Sequence, residues 1–417
     1  MLEAQEFVPR VLLIGYNGAN NTGAEALLLS DLADIRAVLG SQVPITIPSL
    51  SVANLRRYLK ESPYQHIVAL PTIFPLTVWR LVRQHDFVML VEGSAYMDTW
   101  TSALLWYFLW TTHCAHRMHK PCLAYAVDAG DLSPLNRRLV CREASKTNFI
   151  ITRSRAAADR LRNCGVSAPI EATADNAFNF CPDVADENYL RNVWPESVAT
   201  SGRVGLAVVD FYLWPVVLRL WGKKGDCYKW PYYFSRSPER AQGTAALVQG
   251  YAALADHMVT AYNKSVALIA MEQLDEALAR QIQDHMQCAH GARVFSSATY
   301  NASQMTVLLR SLDLLVTSRY HASVLSIAAH VPQMALGHDL RLKNLYLELG
   351  LYEAFFVDHR MPDLFAAVSK RVEQLLTQPN CQQDTLRRGY AEHVARAKRN
   401  RELLRTFVQA QGWRVAG

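Results

Sequence analysis

The sequence predicts two parallel α/β domains followed by a long C-terminal helix. Short apolar runs rich in β-branched residues, such as "RVLLIG", "DFVMLVEG" and "NFIITR", alternate with longer amphipathic stretches, which is the pattern of a parallel sheet covered by helices. The alternation breaks at an acidic, proline-containing segment, residues 181–203, and restarts with "VGLAVVDF", "SVALIAM" and "LDLLVTS". A chain of 417 residues, half of them hydrophobic, is long enough for two such cores.

The break and restart of this pattern also predict the domain boundaries. We expect a first domain over residues 1–185, a linker over 186–203, a second domain over 204–380 and a closing helix over 381–417. The closing segment is charged and helical in pattern, and in a two-lobed protein such a helix often packs against the first lobe. We therefore expect this helix to cross back to the N-terminal domain.

Charge and cysteine content narrow the class of protein. The formal net charge of +6 is modest and spread along the chain, so no nucleic-acid-binding stripe is indicated, and anionic small molecules or an acidic membrane surface are the partners that fit. The eight cysteines form no CxxC pair, and no run of about 18 uncharged apolar residues occurs. We expect a reduced, cytoplasmic protein without a spanning helix or a zinc motif.

The stretch "VLLIGYNGANNTGAEALLLSDL", residues 11–32, has the order strand, turn, helix that is typical of a ligand-binding loop. Its glycine spacing is not GxGxxG, and it lacks the GK[ST] ending of a nucleotide phosphate loop. Nicotinamide and ATP sites are therefore disfavoured. Asn21 and Glu25 are the candidate ligand-facing residues, and the alternative is a tight turn in which Glu25 is only a helix N-terminal charge.

A second strand-to-helix loop carries a stronger signal. The apolar strand from Leu314 to Val316 is followed by Arg319 and His321 at the start of a helix. An arginine fork binds carboxylate or phosphate bidentately, a helix N-terminus favours anions, and a histidine can transfer a proton. The helix field lowers the pKa of a histidine, whereas a bound phosphate dianion raises it. We therefore expect His321 to act as an acid when an anionic substrate is bound.

Several segments of the sequence resemble segments of the polysaccharide pyruvyl transferase family, and they follow one another in the same order as in that family. The first is "NTGAEAL", and the last is "SRYHASVLSIAAHVPQMALGHDLRLKNLYLELGL", in which Asp339 and Arg341 match an aspartate followed by a base. Between them, "FIITRSRAAADRLRNCGV" with "ATADNAFNF" places Arg153 and Asp175, and "LIAMEQLDEALARQI" places Met271, Glu272 and Asp275. The chain departs from the family pattern at Glu92, Gly93 and Ser94, where a glycine-rich turn is common, and at Ala24 and Tyr320, where aspartate and leucine are common.

The resemblance implies an enzyme that forms a cyclic pyruvate ketal on two hydroxyls of a sugar, with phosphoenolpyruvate as donor and phosphate as product. It implies two Rossmann-like domains in a glycosyltransferase-B-like arrangement, with the site in the cleft and phosphoenolpyruvate held from the second domain. The expected catalytic residues are His321 as acid, Arg319 as anion-binding group and Glu25 as base. The expected substrate-binding residues are Arg153, Asn21, Glu92, Ser94, Asp175, Asp339, Arg341 and Lys343, with Glu92 also a candidate base. No metal or other cofactor is expected, and the pathway implied is capsule, exopolysaccharide or cell-wall polymer synthesis.

Two aromatic stretches remain to be placed. In residues 104–120 the apolar run is continuous until Thr111, which predicts a buried helix beside the cleft. Residues 211–236 interleave tryptophans and tyrosines with Lys223, Lys224 and Lys229, which is typical of a sugar-stacking loop or of a peripheral contact with anionic lipid. The second interpretation suits a lipid-linked sugar acceptor and a position at the inner face of the membrane.

Two other functions fit the same pattern. A nucleotide-sugar glycosyltransferase would place anion-binding groups in the same cleft, and a non-catalytic saccharide-binding protein would use the aromatic residues without the arginines.

Overall fold

The computed structural model describes residues 7–194, 201–213, 216–235 and 237–416. The first domain is a seven-stranded parallel sheet with strand order β3-β2-β1-β4-β5-β6-β7. Its strands are β1 (Val11–Ile14), β2 (Ile45–Ser49), β3 (Gln65–Ala69), β4 (Phe87–Leu90), β5 (Cys122–Val127), β6 (Phe149–Thr152) and β7 (Ile170–Ala172). Its helices are α1 (Thr22–Leu39), α2 (Val52–Leu55), α3 (Pro75–Gln84), α4 (Ser102–Arg117), α5 (Pro134–Ala144) and α6 (Arg155–Cys164).

The central strands β1, β4 and β5 of the first sheet are buried on both faces. Along β1, Val11 and Leu13 face one hydrophobic core, whereas Leu12 and Ile14 face the other. Because successive side chains of a strand point to opposite faces, a fully apolar strand of this kind needs helices on both sides of the sheet. This requirement explains why the short apolar runs in the sequence show no polar alternation.

A short connecting helix, α7 (Tyr189–Val193), leads to the second domain. The predicted linker, 186–203, includes this helix, and its Leu190 and neighbouring Trp194 are buried against the second domain. The Trp194 ring lies 5.3 Å from the ring of Phe295. Residues 195–200 of that linker lie outside the described residues.

The second domain contains a six-stranded parallel sheet and a small antiparallel one. Its elements are β8 (Arg203–Ala207), β9 (Val216–Leu218), β10 (Cys227–Lys229), β11 (Tyr232–Phe234), α8 (Pro238–Tyr262), β12 (Ser265–Ala270), α9 (Glu276–His285), β13 (Ala292–Ser296), α10 (Ala302–Arg310), β14 (Leu314–Thr317), α11 (Tyr320–Ile327), β15 (Gln333–Gly337), α12 (Leu340–Glu348), α13 (Tyr352–Phe355), β16 (Phe356–Asp358) and α14 (Leu364–Thr377). The main sheet has the order β13-β12-β8-β14-β15-β16, and the small sheet has the order β10-β11-β9.

Both main sheets reverse their winding direction next to their first strand. The reversal lies between β1 and β4 in the first domain and between β8 and β14 in the second. In doubly wound folds, ligands bind outside the carboxyl ends of the strands at such a switch point. The order confirms the predicted pair of Rossmann-like domains and identifies the loops that can form a site.

The last helix, α15 (Gln383–Ala410), returns to the first domain as predicted. Its Leu404 and Phe407 join the core on one face of the first sheet, and the Phe407 ring stacks on Phe87 with 5.6 Å between centroids. Its fully buried Asn400 donates from Nδ2 to the carbonyl of Ala174 at 3.0 Å and accepts from the Thr173 hydroxyl. The helix is therefore fixed to the first domain by apolar packing and by buried hydrogen bonds.

Replacing Asn400 tests this polar anchor. We expect Asn400→Ala to lower the free energy of unfolding by about 1–3 kcal/mol, because the variant removes the donor to the buried Ala174 carbonyl and leaves the Thr173 hydroxyl with only the Thr152 carbonyl. Urea denaturation followed by circular dichroism measures the loss. The control is Arg399→Ala on the same helix: this side chain is half exposed, and its change should stay within about 0.5 kcal/mol. Equal midpoints for the two variants would contradict the anchor.

Candidate active site

The loops after β1 and β12 meet through their backbones. Thr22 donates its backbone N–H to the carbonyl of Met271 at 2.8 Å, and Gln273 donates to the carbonyl of Asn20 at 3.0 Å, so that Asn21 and Glu272 form an antiparallel bridge. The opening loop of the chain is therefore a contact between the two domains. The predicted Met271 and Glu272 lie on the opposite side of that contact.

A cavity of about 170 Å³ lies beside this bridge, and we call it the central cavity. Polar side chains from both domains line it: Tyr16, Asn21, Glu92, Ser94, Tyr228, Glu272, Arg319, His321 and Arg341. Apolar side chains of the first domain line it as well, including Leu70, Phe74, Leu104 and Tyr107. The last two belong to α4, so the aromatic segment 104–120 forms a largely buried helix beside the cleft, as predicted.

Arg319 enters the central cavity from the loop between β14 and α11. Its guanidinium makes two contacts with the Asp275 carboxylate, one of them at 2.8 Å from Nε, and its Nη1 lies 3.1 Å from Glu272 Oε2. Two carboxylates thus hold the arginine in one orientation. Because a buried arginine needs such partners, this arrangement stabilises a cation at the switch point of the second domain.

His321, in the first turn of α11, faces the first domain across a very short distance. A β-carbon built on Gly23 would lie 2.0 Å from His321 Nδ1, so only glycine fits there. On the other side of the ring, Nε2 lies 3.5 Å from Asp175 Oδ2. Burial lowers the pKa of His321, and Asp175 opposes that shift. The lowered pKa favours the neutral imidazole when the cavity holds no anion.

Arg153 and Asp175 lie behind His321 and do not line the central cavity. Arg153 donates from Nη1 to Asp175 at 2.7 Å and from Nε to Asp128 at 2.8 Å, and it lies under the Tyr320 ring at 4.4 Å. Burial alone would raise the pKa of Asp175, but Arg153 and His321 outweigh it and hold that pKa well below its usual range. An ionised carboxylate is thus fixed against the imidazole.

Glu92 and Ser94 follow β4, at the switch point of the first domain. The Glu92 carboxylate accepts from the backbone N–H groups of Tyr16 at 3.3 Å and Ser94 at 3.2 Å. Burial raises its pKa, although Arg153 and Arg341 act in the opposite direction. A carboxylate of raised pKa that lines the cavity is suited to accept a proton.

Arg341 connects the two domains at the edge of the central cavity. Its guanidinium pairs with Asp339, the N-cap residue of α12, at 2.9 Å from Nε. Its Nη1 donates to the Ser94 hydroxyl of the first domain at 3.2 Å, and its guanidinium lies 5.2 Å from the Trp100 ring. Arg341, Asp339 and Ser94 therefore form one cluster at the edge of the central cavity.

Asn21 and Glu25 occupy different positions although they belong to one motif. Asn21 lines the central cavity and caps α1, accepting from the Ala24 N–H at 3.1 Å. Glu25 is buried and is not among the lining residues; its carboxylate accepts from the N–H of Ala302, the first residue of α10, at 3.0 Å and lies 3.3 Å from Arg57. Glu25 thus connects the first domain to a helix of the second domain.

A second cavity of about 250 Å³, which we call the basic cavity, adjoins the first and shares Trp100 and Arg341 with it. The predicted Lys343 and Asp339 line this second cavity, and Lys343 is not in the central one. Within the described residues, no group of three or more histidine, cysteine or acidic side chains is arranged to hold a metal ion.

Sequence reasoning did not single out Tyr16, Tyr228, Asp128 or Arg57. The hydroxyls of Tyr16 and Tyr228 hydrogen-bond to each other at 2.5 Å between the first domain and the small sheet. Tyr228 belongs to the aromatic segment 211–236, whose residues 214, 215 and 236 lie outside the described part. The signal for Tyr16 was its position in the loop after β1, between Gly15 and Gly18.

Comparison with known proteins supplies a family and a fold. The model of the family described as polysaccharide pyruvyl transferase matches residues 21–339, well over half of the chain. No curated protein matches the sequence.

Several solved structures are similar in fold across nearly the whole chain. A UDP-bound Anabaena protein, Alr3699/HepE, is 12% identical with a TM-score of 0.56, and the match covers 96% of this chain and 100% of that one. A putative UDP-N-acetylglucosamine 2-epimerase from Listeria monocytogenes is 11% identical with a TM-score of 0.62 and 96% coverage of both chains. A trehalose 6-phosphate synthase from Burkholderia multivorans is 10% identical with a TM-score of 0.55, covering 96% of this chain and 98% of that one. These likenesses confirm the glycosyltransferase-B-like arrangement.

The pH dependence of stability tests the placement of Glu25. Burial raises the pKa of Glu25, whereas Arg57 and the Ala302 amide lower it. Burial has the larger effect, and the resulting pKa is about 8. Since the folded-state pKa lies above the ordinary value of 4.5, the stabilisation from the protonated carboxyl is fully present below about pH 4.5 and is lost as pH rises through about 8. Glu25→Gln stays neutral, so its melting temperature should rise by a few degrees relative to the wild type between pH 6 and pH 9.

Thermal melts at pH 6, 7, 8 and 9 measure this difference. The control is Glu187→Gln, an exposed position far along the chain, for which the gap to the wild type should not change with pH. A Glu25→Gln gap that stays constant over this range would show that Glu25 is already ionised at pH 6.

Proposed function

Because the chain belongs to the polysaccharide pyruvyl transferase family, we propose that it transfers the pyruvate carbons of phosphoenolpyruvate to two hydroxyls of one sugar and releases phosphate. The sugar belongs to a polysaccharide or to a glycan precursor. The observation that carries the proposal is that His321, Arg319 and Arg341 line one cavity between the switch points of the two domains. These are an acid and two cations, which are the groups that an enol phosphate with a carboxylate requires.

The cations have distinct positions in the proposed complex. Arg319 is held by Asp275 and Glu272 on one wall, and Arg341 is held by Asp339 on another. We assign them to the two anionic groups of phosphoenolpyruvate, the phosphate and the carboxylate. Both are fixed before the substrate arrives, so little reorganisation is needed when charge develops.

His321 is the general acid in this mechanism. The imidazolium gives its proton to the methylene carbon of phosphoenolpyruvate, and the neighbouring carbon gains oxocarbenium character. A bound phosphate dianion raises the pKa of the histidine and opposes the effect of burial, so the ring is charged when the donor is present. Asp175 favours the same charged form, and Arg153 fixes Asp175. Arg153 is therefore a positioning residue in this proposal, acting through Asp175.

The rest of the reaction balances without a further reactant. One sugar hydroxyl adds to the electrophilic carbon, and its proton replaces the one that His321 gave. The carbon–oxygen bond to phosphate breaks, the second hydroxyl adds to the same carbon, and its proton leaves with the phosphate. Glu92 is our choice of the base that takes each proton from its hydroxyl and passes it on, the first to His321 and the second to the phosphate, because Glu92 lines the central cavity and Glu25 does not.

Product formation from defined substrates tests the proposal. We incubate the protein with phosphoenolpyruvate and a panel of galactose, glucose and N-acetylmannosamine acceptors, free and lipid-linked. We expect free phosphate and an acceptor whose mass has increased by that of a pyruvate ketal group. His321→Asn should lower kcat by about 10²–10⁴-fold, and Arg319→Lys should also impair turnover because a lysine cannot replace the bidentate contacts. His290→Asn, at an exposed position, is the matched control and should retain activity.

Ligand protection separates this function from its alternatives. Phosphoenolpyruvate should raise the melting temperature, because a ligand that binds only the folded state stabilises it. Protection by UDP and none by phosphoenolpyruvate would favour a nucleotide-sugar glycosyltransferase. Unchanged glycan binding by Arg319→Ala, with no phosphate release, would favour a saccharide-binding protein.

We also propose that the small sheet contacts an anionic membrane surface. On it, Leu218, Leu220, Trp221 and Trp230 are exposed, Trp221 to 80%, beside the exposed Lys223 and Lys224. The Trp230 indole donates to the Leu220 carbonyl at 3.4 Å, which keeps the two sides of the patch together. Exposed aromatic and basic residues are the composition of an interfacial contact. No helix within the described ranges is long and apolar enough to cross a membrane, so the proposed contact is peripheral.

Vesicle flotation tests this contact. The wild type should float with anionic vesicles at low salt and less at high salt, because screening weakens the attraction. The double variant Trp221→Ala, Trp230→Ala should lose about tenfold or more of its binding. Trp79→Ala, which removes a partly exposed tryptophan of the first domain, is the control. A wild type that stays unbound at low salt would refute the membrane contact.

A further inference from the structure

The basic cavity is walled by both domains at the edge of the central cavity. The first domain contributes Asp131 and Arg160, and the carboxyl ends of β15 and β16 in the second domain contribute His338, Asp358 and Arg360. Trp100 and Arg341 lie between the basic cavity and the central cavity, since each of these residues lines both cavities. A group bound in this second cavity would thus be separated from the central cavity by these two side chains.

Positive charge exceeds negative charge around this cavity. Four lysine and arginine side chains line it (Arg160, Arg341, Lys343 and Arg360), against three aspartates (Asp131, Asp339 and Asp358). Arg341 and Arg360 pair with aspartates, whereas Arg160 donates to the carbonyl of Ala129 at 3.1 Å and Lys343 lies over the Tyr352 ring at 5.3 Å. The last two therefore provide cationic charge that these contacts do not neutralise.

A buried histidine points to a ligand independently of the charge count. The His338 side chain is only 9% exposed, and neither of its ring nitrogens has a hydrogen-bond partner among the described residues; the nearest carboxylate oxygen, Asp339 Oδ2, lies 3.9 Å from Nε2. Its ring packs against Trp100 and Phe211, with centroid distances of 5.7 and 4.9 Å. These two contacts are with aromatic rings and supply no hydrogen bond to the imidazole nitrogens. Buried polar groups are rarely left unpaired, and each one needs an explanation.

We propose that the basic cavity is a second anion site that binds a phosphate group through Arg160 and Arg360, neither of which is assigned to phosphoenolpyruvate. The phosphate group has two sources that fit this chemistry: the inorganic phosphate that the reaction releases, or a phosphate carried by the acceptor sugar. Arg160 and Arg360 reach it from opposite domains, and His338 gives it a hydrogen bond. The inference rests on the proposed function only for the source of the phosphate, since the site itself follows from the charges and from His338.

Calorimetric titration with inorganic phosphate tests the site without any need for turnover. The starting protein is Arg319→Gln, which weakens anion binding in the central cavity. We expect this variant still to bind phosphate with one site per chain. Adding Arg160→Gln and Arg360→Gln should weaken that binding by tenfold or more, whereas adding Arg155→Gln, an exposed residue on the same helix as Arg160, should leave it unchanged. Loss of all phosphate binding in Arg319→Gln alone would overturn the proposal.

Competition with galactose 1-phosphate identifies the source. If this sugar phosphate displaces inorganic phosphate from the Arg319→Gln protein, the site accepts a phosphate that is carried on a sugar. If only inorganic phosphate binds, the site receives the released product. Phosphate binding that is equally strong with and without Arg160 and Arg360 would again overturn the proposal, whether or not the wild type is an active transferase.

Discussion

The backbone bridge between Asn20–Thr22 and Met271–Gln273 is the contact on which the site depends. It joins the loop after β1 to the loop after β12, so each domain presents its switch point to the other. Main-chain hydrogen bonds do not depend on side-chain identity, but they fix distances to a fraction of an ångström. His321 can therefore lie against Gly23 with no room for one additional carbon atom. The glycine of the opening motif is required by a residue about three hundred positions later in the chain.

Charge balance is the second organising constraint. Three arginines that line or lie behind the central cavity have carboxylate partners: Arg319 has Asp275, Arg341 has Asp339 and Arg153 has Asp175. An unpaired buried charge is very costly, so the pairs allow cations to remain in a partly dry cleft. Each of these arginines also makes a second polar contact, and the two contacts together fix the orientation of its guanidinium. Pre-oriented cations are what a doubly anionic substrate needs in order to bind in one pose.

Much of the architecture could be predicted from the sequence, because apolar β-branched runs such as "VLLI" and "LLVT" carry a strong local signal. The strands β2, with Pro48 inside it, and β5, with alanines and a cysteine, have weaker local signals. Arg319 and His321 could be located because they directly follow a strand, and parallel strands end at the binding edge of the sheet. The position of Arg153 behind the cavity could not be predicted, since its burial depends on Asp128 and Tyr320 from other segments. Glu25 likewise points to α10, a helix that begins at residue 302.

The return of α15 to the first domain has a consequence for how the protein is made. Leu403, Leu404, Phe407 and Val408 complete one face of a sheet whose first strand begins at Val11. During synthesis the part of that face that α15 covers stays open until the ribosome has passed these residues, after the whole second domain has been translated. Domains usually fold as units, N-terminal first. Here the first domain receives its last apolar layer, α15, at the end of synthesis. The apolar surface that α15 covers is therefore exposed for nearly the full time of translation.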